Sequence, residues 1–273
     1  MKFKDGVFFE MIEKRGLKSL KRNSKLGQAT TFVVLGIVIL GVVLLIGYAR
    51  NQFLFGPVSI EKLQQKGMGP IEDHIESCVL EVAPEYFETI GIQGGYLATP
   101  QDTYRRYLGE AISYLCYNME DAPTCYSRYL TKNEMEIQLE EVIYVGLGNC
   151  LSFGGFARGA DVSIGEMAVD VKIGEYESFV DVHVPIRIQR GDTFVEESEF
   201  NIELDVPLGA LFEVSRDVIQ AETTLGEFDQ VPYMLGHRGQ FVIDKKRPYP
   251  DKLYILKSKD SDYVFQFFVQ GEA

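Results

Sequence analysis

Hydrophobic and polar positions along this chain fall into three regimes. The first has no period: from Ala29 to Ala49 the sequence reads ATTFVVLGIVILGVVLLIGYA, 21 residues without a charge. At roughly 1.5 Å per helical residue such a run spans about 31 Å, close to the hydrocarbon thickness of a bilayer. The pattern predicts a transmembrane helix within residues 28–55, ended by Gly56-Pro57.

The second regime has helical spacing. Pro70–Ile92 places Ile71, Ile75, Val79, Val82 and Phe87 near one face, with Pro84 predicting a kink or break. Gly94-Gly95 punctuates the chain. Thr103–Met119 reads as a helix that carries Tyr104, Tyr107, Leu108, Ala111, Tyr114, Leu115 and Asn118 on one side. Thr131 with Glu134 three positions on forms a capping-box start for a helix to Cys150.

From Met167 the period becomes two. Met167, Val169, Val171 and Ile173 alternate with polar positions, as do Val180, Val182, Val184, Ile186 and Ile188. After a turn at Gly191-Asp192, Phe194, Phe200, Ile202, Leu204 and Val206 share one parity, with Glu197, Glu199, Glu203 and Asp205 on the other. Half-exposed strands in succession predict an antiparallel meander, with Pro185 at an edge where its missing N–H does no harm. Pro207 opens a helix to about Glu222 with Leu208, Leu211, Phe212, Val218 and Ile219 inward. Gly239–Asp244, Lys252–Lys257 and Tyr263–Val269 complete the chain as strands. The expected class is α+β: an N-terminal transmembrane helix, a helical part over 56–152, then a β-rich part over 153–273 in which a helix packs on the meander.

Charge orients this arrangement. Residues 1–27 hold eight Lys or Arg against three acids, a net of +5, whereas the whole chain has a formal net charge of −13 and the remainder therefore −18. The positive-inside bias puts the basic leader, 1–27, in the cytoplasm and residues 51–273 outside, making a single-pass protein of the cell membrane. A body this acidic repels phosphate backbones, which argues against nucleic acid as a partner. A cleaved secretory signal fits less well, because the apolar run exceeds the usual length and Gly47-Tyr48-Ala49 is its only small-x-small site.

The junction Lys25-Leu26-Gly27-Gln28-Ala29-Thr30-Thr31-Phe32, running straight into the apolar helix, resembles the class III signal peptide of archaeal type IV pilin-like proteins. The resemblance implies that a prepilin peptidase cuts between Gly27 and Gln28. The apolar helix is then retained as a membrane anchor or as part of a filament core. The sequence departs from the family at Phe32, where many pilins carry an acid at the fifth mature position, and in its long leader of 27 residues. An uncut anchor is the alternative. The order of segments, including Gln93-Gly94-Gly95-Tyr96 between two Cys-bearing helices, also resembles a group of archaeal surface proteins with the same signal; no activity comes with that likeness.

Cys78, Cys116, Cys125 and Cys150 all follow the apolar segment, and an even number outside the cell favours disulfides. Of three possible pairings, Cys116–Cys125 is favoured because it closes a short loop around Pro123. Cys78–Cys150 then ties two long helices together. Zinc needs close Cys or His pairs, and only His74, four positions before Cys78, comes near; no metal or cofactor is expected.

Chemical signatures are sparse. Asp161-Val162-Ser163-Ile164-Gly165 lacks the first glycine of a nucleophile elbow, and Gly146-x-Gly148 lies on a helix without the third glycine of a dinucleotide loop. His183 and the pairs Glu140-Glu141 and Glu196-Glu197 read as solvated surface groups, and Arg190-Gly191-Asp192 as a hairpin turn. Tyrosines cluster, and Tyr104, Tyr107, Tyr114 and Tyr117 are candidate partner-binding residues, with a core-covering role as the plainer alternative. The sequence thus leads to a non-enzymatic cell-surface protein acting by assembly or binding to other surface proteins, either a pilin-like filament subunit or an anchored ectodomain. The alternative is a membrane-anchored extracytoplasmic hydrolase of surface polymer.

Overall fold

The computed structural model describes residues 34, 36–42, 68–119, 125–153 and 161–271. The chain forms two compact units, Met1–Pro57 and Val58–Ala273. In the first, residues 36–42 are helical, and Ile37, Val38, Ile39 and Leu40 are each more than half exposed. The rest of the expected membrane segment, the leader and the Gly27–Gln28 junction lie outside the described residues. Among the described residues no helix is long and apolar enough to cross a membrane.

The second unit is α+β. Helix α1 (Gly69–Ile92) is followed by strands β1 (Tyr104–Tyr107), β2 (Glu110–Tyr117) and β3 (Tyr126–Ser127), helix α2 (Lys132–Cys150) and the meander β4 (Asp161–Ile164), β5 (Ala168–Ile173), β6 (Ser178–Arg190) and β7 (Thr193–Leu204). Helices α3 (Leu208–Leu225) and α4 (Gln230–Gly236) and strands β8 (Phe241–Lys246), β9 (Lys252–Ser258) and β10 (Val264–Val269) complete it.

Two sheets result. The first runs β1-β2-β10-β9-β8, with β3 also on β2; β10 pairs β2 in parallel and the other pairs are antiparallel. The second is antiparallel and centred on β6, which is flanked by β7 along its length and by β5 and β4 against its two halves. Helix α2 buries Met135, Leu139, Ile143 and Leu147, a strict i, i+4 stripe, at 1% exposure or less. Those side chains join Ile71, Ile75, Val79 and Phe87 of α1 and the inner residues of both sheets in one core. Each such fully buried aliphatic or aromatic side chain contributes roughly 1.5–3 kcal/mol.

Helix α2 begins as expected. The Thr131 side chain accepts from Glu134 N, and the Glu134 carboxylate accepts from Thr131 N at 2.7 Å. Helix α3 ends at Gly226, whose φ of 73° is the left-handed C-cap glycine supplies cheaply.

Four expectations are corrected. Thr103–Met119 is not a helix but the β1–β2 hairpin, so the helical part over 56–152 contains strands of the first sheet. Strand β2 is enclosed on both faces, burying Ile112, Ser113, Leu115 and Cys116. Its apolar residues therefore lose the alternation that marks a half-exposed strand. Of the kink or break expected at Pro84, the break does not occur, since α1 runs through it. Pro84 and Leu80, the residue whose carbonyl loses its partner, are both exposed, so water can satisfy that oxygen.

Pro185 is on the central strand β6, not at an edge. It sits where the ladder to β7 shifts register between His183 and Ile186, with Val184 and Pro185 opposite the single residue Ser198. Gly165 packs there, donating its N–H to the Pro185 carbonyl at 2.7 Å. A Cβ on Gly165 would meet the proline ring at 3.0 Å. The same bulge reverses parity along β7: Val195 is buried at 9% while Phe194, expected inward, is 49% exposed under the Arg187 guanidinium, 4.0 Å from its ring centre.

Candidate functional site

The cysteines join distant elements. Cys78 on α1 is bonded to Cys150, the last residue of α2, with Cα atoms 5.9 Å apart. Cys116 on β2 is bonded to Cys125, just before β3, at a Cα separation of 5.3 Å. No cysteine is free. His74 stands one helical turn before Cys78, its Nε2 4.0 Å from the sulfur and 3.4 Å from Ser152 N.

The β1–β2 hairpin gathers the tyrosines. Residues Leu108 (φ 52°) and Gly109 (φ 103°) form its two-residue turn, both in the left-handed region that hairpin turns of this kind require. Behind the tip, Ile112, Leu253 and Phe268 form a small second core on which Tyr107, Tyr114 and Ile255 lie. The Tyr107 ring meets Phe268 edge-on at 6.3 Å and Tyr114 meets Tyr117 at 5.9 Å. Tyr114 donates its hydroxyl to Asp251 Oδ2 at 2.7 Å. Arg105 bonds the same oxygen and donates to the Pro248 carbonyl at 3.0 Å, while Gly271 N donates to Asp251 Oδ1 at 3.1 Å. Burial, and then the hydrogen bond to Asp251, pushes the Tyr114 hydroxyl well above its ordinary value.

The four candidate tyrosines therefore separate. Tyr114 and Tyr107 cover the outer face of the first sheet, and Tyr117 is half-buried beneath Arg128. Tyr104 (38% exposed), Arg106 and Leu108 (89%) face solvent at the hairpin, and Tyr126 and Tyr129 are exposed beyond β2. An aromatic and arginine-bearing hairpin edge with an unpacked leucine at its turn suits protein contact.

An ion network joins α3 to β8 and β9. Glu222 on α3, 3% exposed, accepts from the Tyr254 hydroxyl and from Phe228 N at 3.2 Å on one oxygen, and from Lys252 at 2.6 Å on the other. Glu227 takes Lys252 at 3.0 Å, Arg247 at 2.8 Å and Lys245. Burial works against the charge on Glu227, but the hydrogen bonds from Lys245 and Lys252 outweigh it and hold the carboxyl at about 2. Burial pushes the Tyr254 hydroxyl far up, and its bond to Glu222 adds to the effect.

Sequence reasoning missed two arrangements. The Glu136 carboxylate accepts Ile173 N at 2.8 Å and Glu140 accepts Val171 N at 3.1 Å, so Glu140 is not simply solvated: it caps the outer edge of β5. His183 pairs with Asp170 at 3.1 Å. Only the i, i+4 spacing of Glu136 and Glu140 beside the buried stripe of α2 hinted at the first. Arg190 and Thr193 pair across Gly191-Asp192, so this tripeptide does make the hairpin turn.

Of the acids buried among the described residues, Glu222 and Asp251, each is held by a cation and a tyrosine. Also among the described residues, no group of three or more His, Cys, Asp or Glu is placed to hold a metal ion. In comparisons with protein-family models, with curated proteins and with solved structures, nothing matches this chain.

Proposed function

We propose that this chain is a membrane-anchored, pilin-like surface protein that acts by assembly or binding rather than by catalysis. The apolar segment 29–49 holds it in the lipid bilayer, or in a filament core once a prepilin peptidase has cut between Gly27 and Gln28, and residues 51–273 face outward. The observation that carries the reading is the use of all four cysteines, each beyond the apolar segment, in two internal disulfides. Such bonds persist outside the cytoplasm. The exposed side of the β1–β2 hairpin, from Tyr104 through Arg106 to Leu108 at its turn, is the surface through which contact with other surface proteins, or with further copies, is expected.

Mass spectrometry of the mature N-terminus tests the processing step. A chain that begins at Gln28 supports pilin-like handling, and one that retains Met1 counts against it. Electron microscopy of material sheared from the cell surface then distinguishes filaments from a stationary anchored domain.

A further inference from the structure

The second unit treats its long sheet edges unequally. The outward N–H groups of β5 at Val171 and Ile173 are capped by Glu140 and Glu136. On β8, the N–H of Ile243 donates to the Met234 sulfur of α4 at 3.3 Å. Strand β7, 12 residues long, pairs only with β6. Among the described residues no side chain or backbone group caps its outer edge. Such an edge is ordinarily covered, because it offers a row of main-chain donors and acceptors to any extended chain.

A groove of about 490 Å³ runs along this open edge, between β7 and α1. Its α1 wall is the exposed stripe Glu72, Glu76 and Leu80, at i, i+4 and i+8; its β7 wall spans Glu199 to Glu203. Glu72, Glu76, Glu199 and Glu203 make no ion pair or hydrogen bond among the described residues. The charge around them is one-sided. From residue 69 to 92 there are six acids and no Lys or Arg, and from 193 to 204 there are four acids and no Lys or Arg.

We propose that this groove binds an extended, lysine- or arginine-bearing segment of another polypeptide, which adds to β7 as a further strand. Main-chain hydrogen bonds to the β7 edge would supply the affinity, and alternate side chains the specificity. One set would lie over Glu72, Glu76 and Leu80 and the other beside Glu199 and Glu203. Four carboxylates with no cation beside them repel an acidic strand and draw a cationic one in. The proposal goes beyond the membrane reading and does not depend on it.

The test uses the full-length protein in detergent micelles and a blocked nine-residue peptide that repeats Lys-Lys-Val-Val, which puts lysine on both faces of the added strand. Expected are one-to-one binding, slowed amide exchange confined to β7, and affinity reduced by about tenfold or more in Glu199→Lys/Glu203→Lys and in Glu72→Gln/Glu76→Gln. The second pair lies on exposed helix and guards against a folding defect in the first. The same peptide N-methylated at alternate amides should also lose affinity by about tenfold or more, because it cannot complete the ladder. Equal binding by the N-methylated peptide would show charge attraction without strand addition and overturn the proposal. Protection elsewhere, no binding, or concentration-dependent self-association that already protects β7 without peptide would overturn it as well.

Discussion

The Glu140 carboxylate on α2 accepts the backbone N–H of Val171 on β5 at 3.1 Å, and Glu136 one turn earlier does the same for Ile173. Together they close a sheet edge with two side chains from a helix packed alongside. Replacing both with alanine leaves two edge N–H groups without these acceptors. Glu136→Ala/Glu140→Ala is expected to cost about 2 kcal/mol in urea unfolding, since hydrogen bonds to charged acceptors are the stronger kind. Amide exchange at Val171 and Ile173 should quicken. Unchanged exchange at those two amides would show that the carboxylates do not protect the edge.

Gly146 and Gly148 are two residues apart on α2 and have opposite surroundings. A Cβ on Gly146 would come within 2.4 Å of Val82 Cγ1 on α1, whereas one on Gly148 would meet nothing within 4 Å. Gly146→Ala is therefore expected to destabilise by about 1–3 kcal/mol through overpacking against a stiff β-branched side chain. Gly148→Ala should stabilise by about 0.5–1 kcal/mol through helix propensity. Thermal melts of the two variants shifting in the same direction would contradict this assignment.

The contrast shows what local pattern conveys. Strands β5 and β6 were legible because one face is buried and the other wet, so Val180, Val182 and Val184 alternate visibly with polar neighbours. Strand β2 was not, because both its faces are covered and its tyrosines and leucine happen to fall three and four apart. The swap of Phe194 for Val195 follows from a bulge on the partner strand, and nothing within β7 itself announces it. The Glu222–Lys252–Tyr254 cluster and the open β7 edge depend on packing between elements far apart in sequence. The cysteine pairing was legible because only one short loop was available.

The two disulfides should differ in worth. The Cys78–Cys150 bond spans 72 positions and the Cys116–Cys125 bond spans 9. On a chain-entropy view, replacing the first pair with serine costs about 4 kcal/mol and the second about 3 kcal/mol. Denaturant midpoints of the two double-serine variants check the order. A larger loss from the short loop would put the stabilisation in native-state contacts instead.

Acid should loosen the junction of α3 with β8 and β9. Glu227 in the folded chain is held at about 2, against an ordinary value of 4.5. Between these values the unfolded chain takes up a proton that the folded chain refuses. The contribution is thus complete above about pH 4.5 and is lost as pH falls through about 2. Because Glu227 is 48% exposed, screening reduces it to about 1 kcal/mol. Unfolding free energies measured from pH 5 to 2 should fall less steeply in Glu227→Gln than in the unaltered chain; parallel slopes would show that this carboxylate is not the group responsible.

Where the chain resides is measured by fractionating cells that express it under alkylating conditions, followed by alkaline extraction of the membranes. The full chain is expected to stay in the membrane pellet until detergent is added, with Cys78, Cys116, Cys125 and Cys150 unreactive towards maleimide before reduction. Recovery in the soluble cytosolic fraction, with those four thiols free to label, would contradict an anchored and outward-facing protein.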